Sequence, residues 1–83
     1  MFEVLGFYKF IKIKSLNRNK ILIQDFLIKK NIRGTIIIAN EGLNGTISGK
    51  TIDIKSTSNK LKKIFSFREF DSSNKSKSKF QPF

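Results

Sequence analysis

The sequence predicts an α+β domain of ferredoxin-like, split β-α-β type (βαββαβ): an antiparallel sheet with two helices on one face. Three observations predict it. Apolar spacing switches from strand-like to helix-like twice along the chain. A turn rich in Gly and Asn separates two β-branched runs. And 83 residues with 39% hydrophobic content, nine Phe among them, suffice for one modest core.

Residues 2–13 read as the first strand, because Phe2, Val4, Phe7, Tyr8, Phe10, Ile11 and Ile13 are β-formers. Lys9 and Lys12 interrupt the run, which predicts one partly solvated face. Phe7 and Phe10 are expected in the core, Tyr8 and Lys9 on the surface. Ser15 is the expected N-cap of a helix over Leu16 to Asn31. There Leu16, Leu22, Ile23, Phe26 and Leu27 share an arc, and Lys29 and Lys30 suit the C-terminal dipole. After Arg33-Gly34, the run Thr35 to Ala39 is a strand, Asn40 to Gly45 a turn, and Thr46 to Ser48 the returning strand of a hairpin.

A second helix is expected over Ile52 to Phe65, with Ile54, Leu61, Ile64 and Phe65 inward and Lys55, Lys60, Lys62 and Lys63 outward. Phe67 to Phe70 is the candidate last strand. Residues 1–71 then form the domain, and residues 72–83 a mobile basic tail, rich in Ser and Lys, leading to a missing downstream domain. The first and third strands should lie side by side in the centre. Leu22, Phe26, Ile37, Ile47 and Leu61 should be largely buried; an exposed Ile37, or a parallel sheet, would sink the topology.

The chain has no Cys and no His, which excludes thiol nucleophiles, disulfides, most zinc sites and the usual imidazole acid–base. No catalytic residue, cofactor or metal is expected. No basic leader precedes an apolar stretch, and no apolar run approaches the ~18 residues of a membrane span. A cytoplasmic protein with no membrane partner is expected. The net charge of +11 fits a polyanion partner through counterion release. It equally fits base-composition bias, since Lys, Ile and Asn are abundant together and Arg is scarce.

Three segments carry a family resemblance: Phe7-Tyr8-Lys9-Phe10; the stretch from Arg33 to Gly49, with Ala-Asn-Glu-Gly-Leu-Asn-Gly at Ala39 to Gly45 as its specific part; and Phe67-Arg68-Glu69-Phe70 with Pro82-Phe83 beyond. In this order they resemble the N-terminal domain of the bacterial rhodanese-like tRNA uridine hydroxylases. The resemblance implies an acylphosphatase-like fold. It also implies a parent protein that uses molecular oxygen to make 5-hydroxyuridine at the tRNA wobble position. In that family a rhodanese-like domain with an essential Cys follows. This sequence has no Cys and stops at Phe83, so no catalytic residue carries over and a truncated member is expected.

Beside the resemblance, the Ala39–Gly45 motif admits three readings: turn chemistry alone, backbone amides with the Asn40 and Asn44 side chains on an RNA phosphate or base edge, or Glu41 as a general base. Lys12 to Arg18 lacks the Gly-rich cradle of an acylphosphatase, and Gly49-Lys50-Thr51 lacks the earlier Gly of a P-loop. Gly6-Phe7-Tyr8-Lys9-Phe10 matches an RNA-recognition motif only at Gly6 and Phe7, and on the first strand rather than the third. The candidate RNA-binding residues are Tyr8, Lys9, Lys12, Lys14, Arg18, Asn40, Asn44, Lys60, Lys62 and Lys63. Three functions remain open: a non-catalytic domain that contacts tRNA or supports the rhodanese-like domain, a stand-alone basic RNA-binding module, and an inactive fragment.

Overall fold

The chain alternates β1 (Phe2–Phe10), α1 (Leu16–Lys29), β2 (Arg33–Ala39), β3 (Gly42–Lys50), α2 (Thr51–Phe65) and β4 (Ser72–Ser78) in a computed structural model that describes residues 1–83. The strands form one antiparallel sheet in the order β2-β3-β1-β4, with β1 and β3 central. This is the predicted βαββαβ topology.

One face of the sheet is covered. Leu5 and Phe7 of β1, Leu43 and Ile47 of β3 and Ile38 of β2 join Ile23 of α1 and Ile54 and Leu61 of α2 in a single buried cluster. The register sets this: Leu5 opposes Ile47, and Leu43 opposes Ile38, so alternate residues of each strand face the helices. Ile47 and Leu61 are buried as expected.

Ile37 is not. It is 56% exposed, because the antiparallel register turns Ile36 and Ile38 toward the helices and Ile37 toward the open face. Three consecutive Ile satisfy either phase of a strand, and the hairpin register decides between them. The antiparallel topology stands with Ile37 outside. Leu22 is also exposed, at 45%, and Phe26 is half-buried beneath the Lys30 and Lys60 ammonium groups. Phe10, expected in the core, shares the open face with Tyr8 and is exposed. Ser15 occupies the N-cap position but has a φ of 53° and no side-chain cap bond; the Asn19 amide donates instead to the Lys14 carbonyl at 2.8 Å.

The hairpin turn is shorter than predicted. Ala39 pairs with Gly42, so only Asn40 and Glu41 make the loop, while Asn44 and Gly45 lie inside β3. Gly42 takes the positive φ (156°), and a Cβ there would collide with the Lys9 carbonyl of β1. A Cβ on Gly45 would lie 2.5 Å from the Thr35 carbonyl of β2. The motif glycines therefore let β3 sit close between its two neighbours.

The last strand is also displaced. Phe67 to Phe70 is a bend, not a strand, and Phe70 packs on Phe7 with ring centroids 4.9 Å apart. The strand is Ser72–Ser78, within the segment expected as a mobile tail, and it pairs with β1 from Tyr8↔Ser72 to Phe2↔Ser78. It contains no hydrophobic residue, so main-chain hydrogen bonding places it, with no apolar alternation to reveal it in sequence. Its lysines suit an edge strand.

Candidate nucleic-acid interface

The sheet separates the candidate residues. On the open face, Tyr8 of β1 stands opposite Asn44 of β3, and Asn44 in turn opposite Ile37 of β2. The Phe10 ring meets Tyr8 edge-on, with centroids 4.6 Å apart. On the other side of Tyr8 the strand has Gly6, which opposes Thr46 on β3 and Asn74 on β4. An open trough of about 560 Å³ lies over this floor.

Lys9 points the other way. Its Nζ lies 3.4 Å from the Asp71 carboxylate and 5.4 Å from the centre of the Phe67 ring, on the covered side of the sheet. It is therefore engaged within the fold and does not join Lys12 and Lys14. Those two are exposed in the link between β1 and α1, and Arg18 is exposed in the first turn of α1. The link is tied to the hairpin: Ile11 N–H donates to the Glu41 carbonyl at 3.1 Å and Ile13 N–H to the Asn40 carbonyl at 2.9 Å. Asn40 and Glu41 are exposed at the tip.

On α2, Lys60 and Lys62 are half-buried rather than fully outward. Lys60 lies 5.7 Å from the Phe26 ring centre and Lys62 lies 5.5 Å from that of Phe70, so their aliphatic stems cover aromatic surface. Lys63 is exposed. Lys62 also lines a cleft of about 350 Å³ with Lys55, Lys75 and Glu3. The sequence places Lys55 on the outward side of the second helix and Lys75, with Lys77 and Lys79, in the tail as RNA contacts not positioned by the fold; β4 instead brings Lys75 to this cleft. Gly49-Lys50-Thr51 spans a strand end and a helix start, but the Thr51 N–H and hydroxyl both donate to the Met1 carbonyl, at 3.3 and 3.4 Å.

Asp71 has the one perturbed acidity. Its pKa is lowered from the ordinary 3.8, chiefly by the hydrogen bond from the Phe10 N–H; desolvation opposes this, and the charge and hydrogen bond of Lys9 add smaller lowering effects. Two distant parts of the resemblance also meet: the Ser48 hydroxyl donates to the Pro82 carbonyl at 2.9 Å, and the Arg33 guanidinium donates to the Phe83 carbonyl at 3.1 Å. Gln81 adds bonds from its amide to the Asn31 and Ser48 carbonyls, at 3.2 and 3.1 Å. The closing segment thus crosses one end of the open face. No helix is long and apolar enough to cross a membrane.

Comparison with known proteins agrees with this architecture. The chain is 72% identical over 83 residues, all of its length, to a tRNA uridine(34) hydroxylase of Pelagibacter ubique (strain HTCC1062), and covers 28% of that protein. It is 35% identical over 71 residues, 86% of its length, to a tRNA uridine(34) hydroxylase of Ehrlichia ruminantium (strain Welgevonden), of which that match covers 24%. The chain thus spans about a quarter of the length of these relatives. Residues 2–83 match the family described as the UPF0176 acylphosphatase-like domain, and the chain belongs to that family.

Proposed function

We propose that the chain is a tRNA-contacting, non-catalytic domain of an oxygen-dependent tRNA uridine hydroxylase, working in the cytoplasm beside a rhodanese-like domain that carries the oxygen chemistry. The observation that carries this reading is the 72% identity, across the whole chain, to a protein named for tRNA uridine(34) hydroxylation. The chemistry agrees with a binding role: the chain has neither thiol nor imidazole, and it carries a net charge of +11.

Lys62, with Lys55 and Lys75 in the same cleft, supplies phosphate contacts in this reading, and Lys12, Lys14 and Arg18 supply others. Binding of the 83-residue chain to unmodified tRNA, followed by anisotropy across a salt series, tests it. Dissociation constants of ~10⁻⁴–10⁻⁶ M near physiological salt are expected, weakening steeply as salt rises. Lys62→Ala should reduce the slope of log K against log salt by about one. Lys9→Ala should leave the slope unchanged, because Asp71 already neutralises that ammonium. No binding at low salt would overturn the tRNA-contact reading.

A further inference from the structure

The open face of the sheet differs in chemistry from the lysine-rich helical side. Its centre is uncharged: Asn44, Thr46, Thr35 and Asn74 surround Gly6, with Tyr8 at one side. None of those four polar side chains hydrogen-bonds to another residue of the chain. Amide and hydroxyl donors and acceptors thus line the trough uncommitted. Gly6 gives it depth, having no side chain at the middle of the central strand.

One carboxylate borders this face: Glu41, in the hairpin turn, lines a pocket of about 280 Å³ with Tyr8, Phe10, Ile37 and Asn44. Of the six acidic residues, Glu3 is on the covered side, Asp25 and Asp53 are on the helices, Glu41 is in the hairpin turn, and Glu69 and Asp71 are in the link before β4. Arg33 and Lys50, by their register, stand at the edge of the open face. A surface with an aromatic ring, free amides, a carboxylate only at its hairpin rim and cations at its margin suits an uncharged planar group on an anionic backbone. The exposed apolar side chains Phe10, Ile37 and Phe83 stand around the trough, while amides and hydroxyls line its floor.

We propose that this trough takes one unpaired RNA nucleobase, stacked on the Tyr8 ring, with the Asn44 and Asn74 amides meeting the base edge. The proposal rests on the RNA-contact reading and deepens it: the lysines hold phosphate, and the open face takes a base only where the RNA is single-stranded. Phe10, edge-on against Tyr8, props the ring. The trough volume of about 560 Å³ lies within the range of ~300–1,000 Å³ common for small-ligand sites.

Composition supplies the probe. Tyr8 is the single Tyr and there is no Trp, so intrinsic emission reports on this position alone. A fluorescently labelled single-stranded octauridylate and a labelled RNA duplex of equal length are titrated into the 83-residue chain, with anisotropy and tyrosine emission both followed. Single-stranded RNA should quench Tyr8 saturably, in step with anisotropy, and duplex RNA should bind without quenching. Gly6→Val should fill the trough without unfolding the sheet, because a Cβ at Gly6 meets nothing nearer than Thr46 Oγ1 at 3.8 Å. It should weaken single-strand binding by roughly 5- to 150-fold, the range expected for one lost stack, and leave duplex binding unchanged. Tyr8→Phe should retain the affinity that Tyr8→Ala loses.

Binding of single-stranded RNA without quenching would overturn the trough proposal and leave the phosphate contacts standing. Equal quenching by the duplex would also overturn it. Emission that changes with protein concentration in the absence of RNA would mean that a second copy covers the face, and would overturn it too. No binding of either RNA would overturn both this proposal and the reading beneath it.

Discussion

The Asp71 carboxylate accepts the main-chain N–H of Phe10 at 2.6 Å, joining the end of β1 to the link that leads into β4. The same carboxylate lies 3.4 Å from Lys9 Nζ, and the Asp71 N–H donates to the Tyr8 carbonyl at 2.9 Å. One residue therefore fixes where β4 begins to pair, and it neutralises the lysine next to Tyr8.

This clamp makes stability depend on acid. The folded pKa of Asp71 is depressed below 3.8, so the folded state favours the ionised form. The contribution is present in full above the ordinary carboxylate value and is lost as pH falls through the folded one. Asp71→Asn should lower the melting temperature at pH 7, and the difference from the parent should shrink below about pH 4. Thermal melts across pH 2–7 by circular dichroism measure it; a constant difference at every pH would deny the carboxylate this role.

Burial in β2 and β3 gives a paired test. Ile47 is fully buried, so Ile47→Ala should cost about 2–5 kcal/mol. Ile37 is on the open face, and Ile37→Thr should cost less than about 1 kcal/mol. Urea denaturation compares them. Equal losses would mean that the register of β2 is shifted by one residue.

Much of this fold was legible because apolar spacing carries it. Element order, the central pair of strands and the buried Ile47 and Leu61 all follow from periodicity and turn residues. The misplacements share a cause: they fall where side chains leave the choice open. Ile36, Ile37 and Ile38 fit either strand phase. Ser72 to Ser78 has no apolar residue to mark a strand. Asn44 and Gly45 looked like turn residues, yet Gly45 is required inside β3 by its approach to Thr35. The candidate site was legible as residue types but not as an arrangement. Tyr8 and Lys9 are neighbours in sequence and lie on opposite faces of the sheet, and Asn74 and Lys75 enter only with β4.

The edge strand can be checked directly. The β4 amides that bond to β1 should be protected in hydrogen exchange, and protection should drop in Asp71→Ala. Exchange across residues 72–78 at the rate of an unstructured peptide would restore the mobile tail.

The role proposed for this chain is that of a non-catalytic domain in a tRNA uridine hydroxylase. The most direct measurement replaces the matching region of the Pelagibacter ubique protein, 72% identical over 83 residues, with this chain. Mass spectrometry then follows 5-hydroxyuridine in tRNA treated with the chimera and, separately, with the chain alone. The account predicts product from the chimera and none from the chain, which has no Cys. A folded chimera without product, beside an active parent, would contradict it, as would hydroxylation by the 83-residue chain by itself.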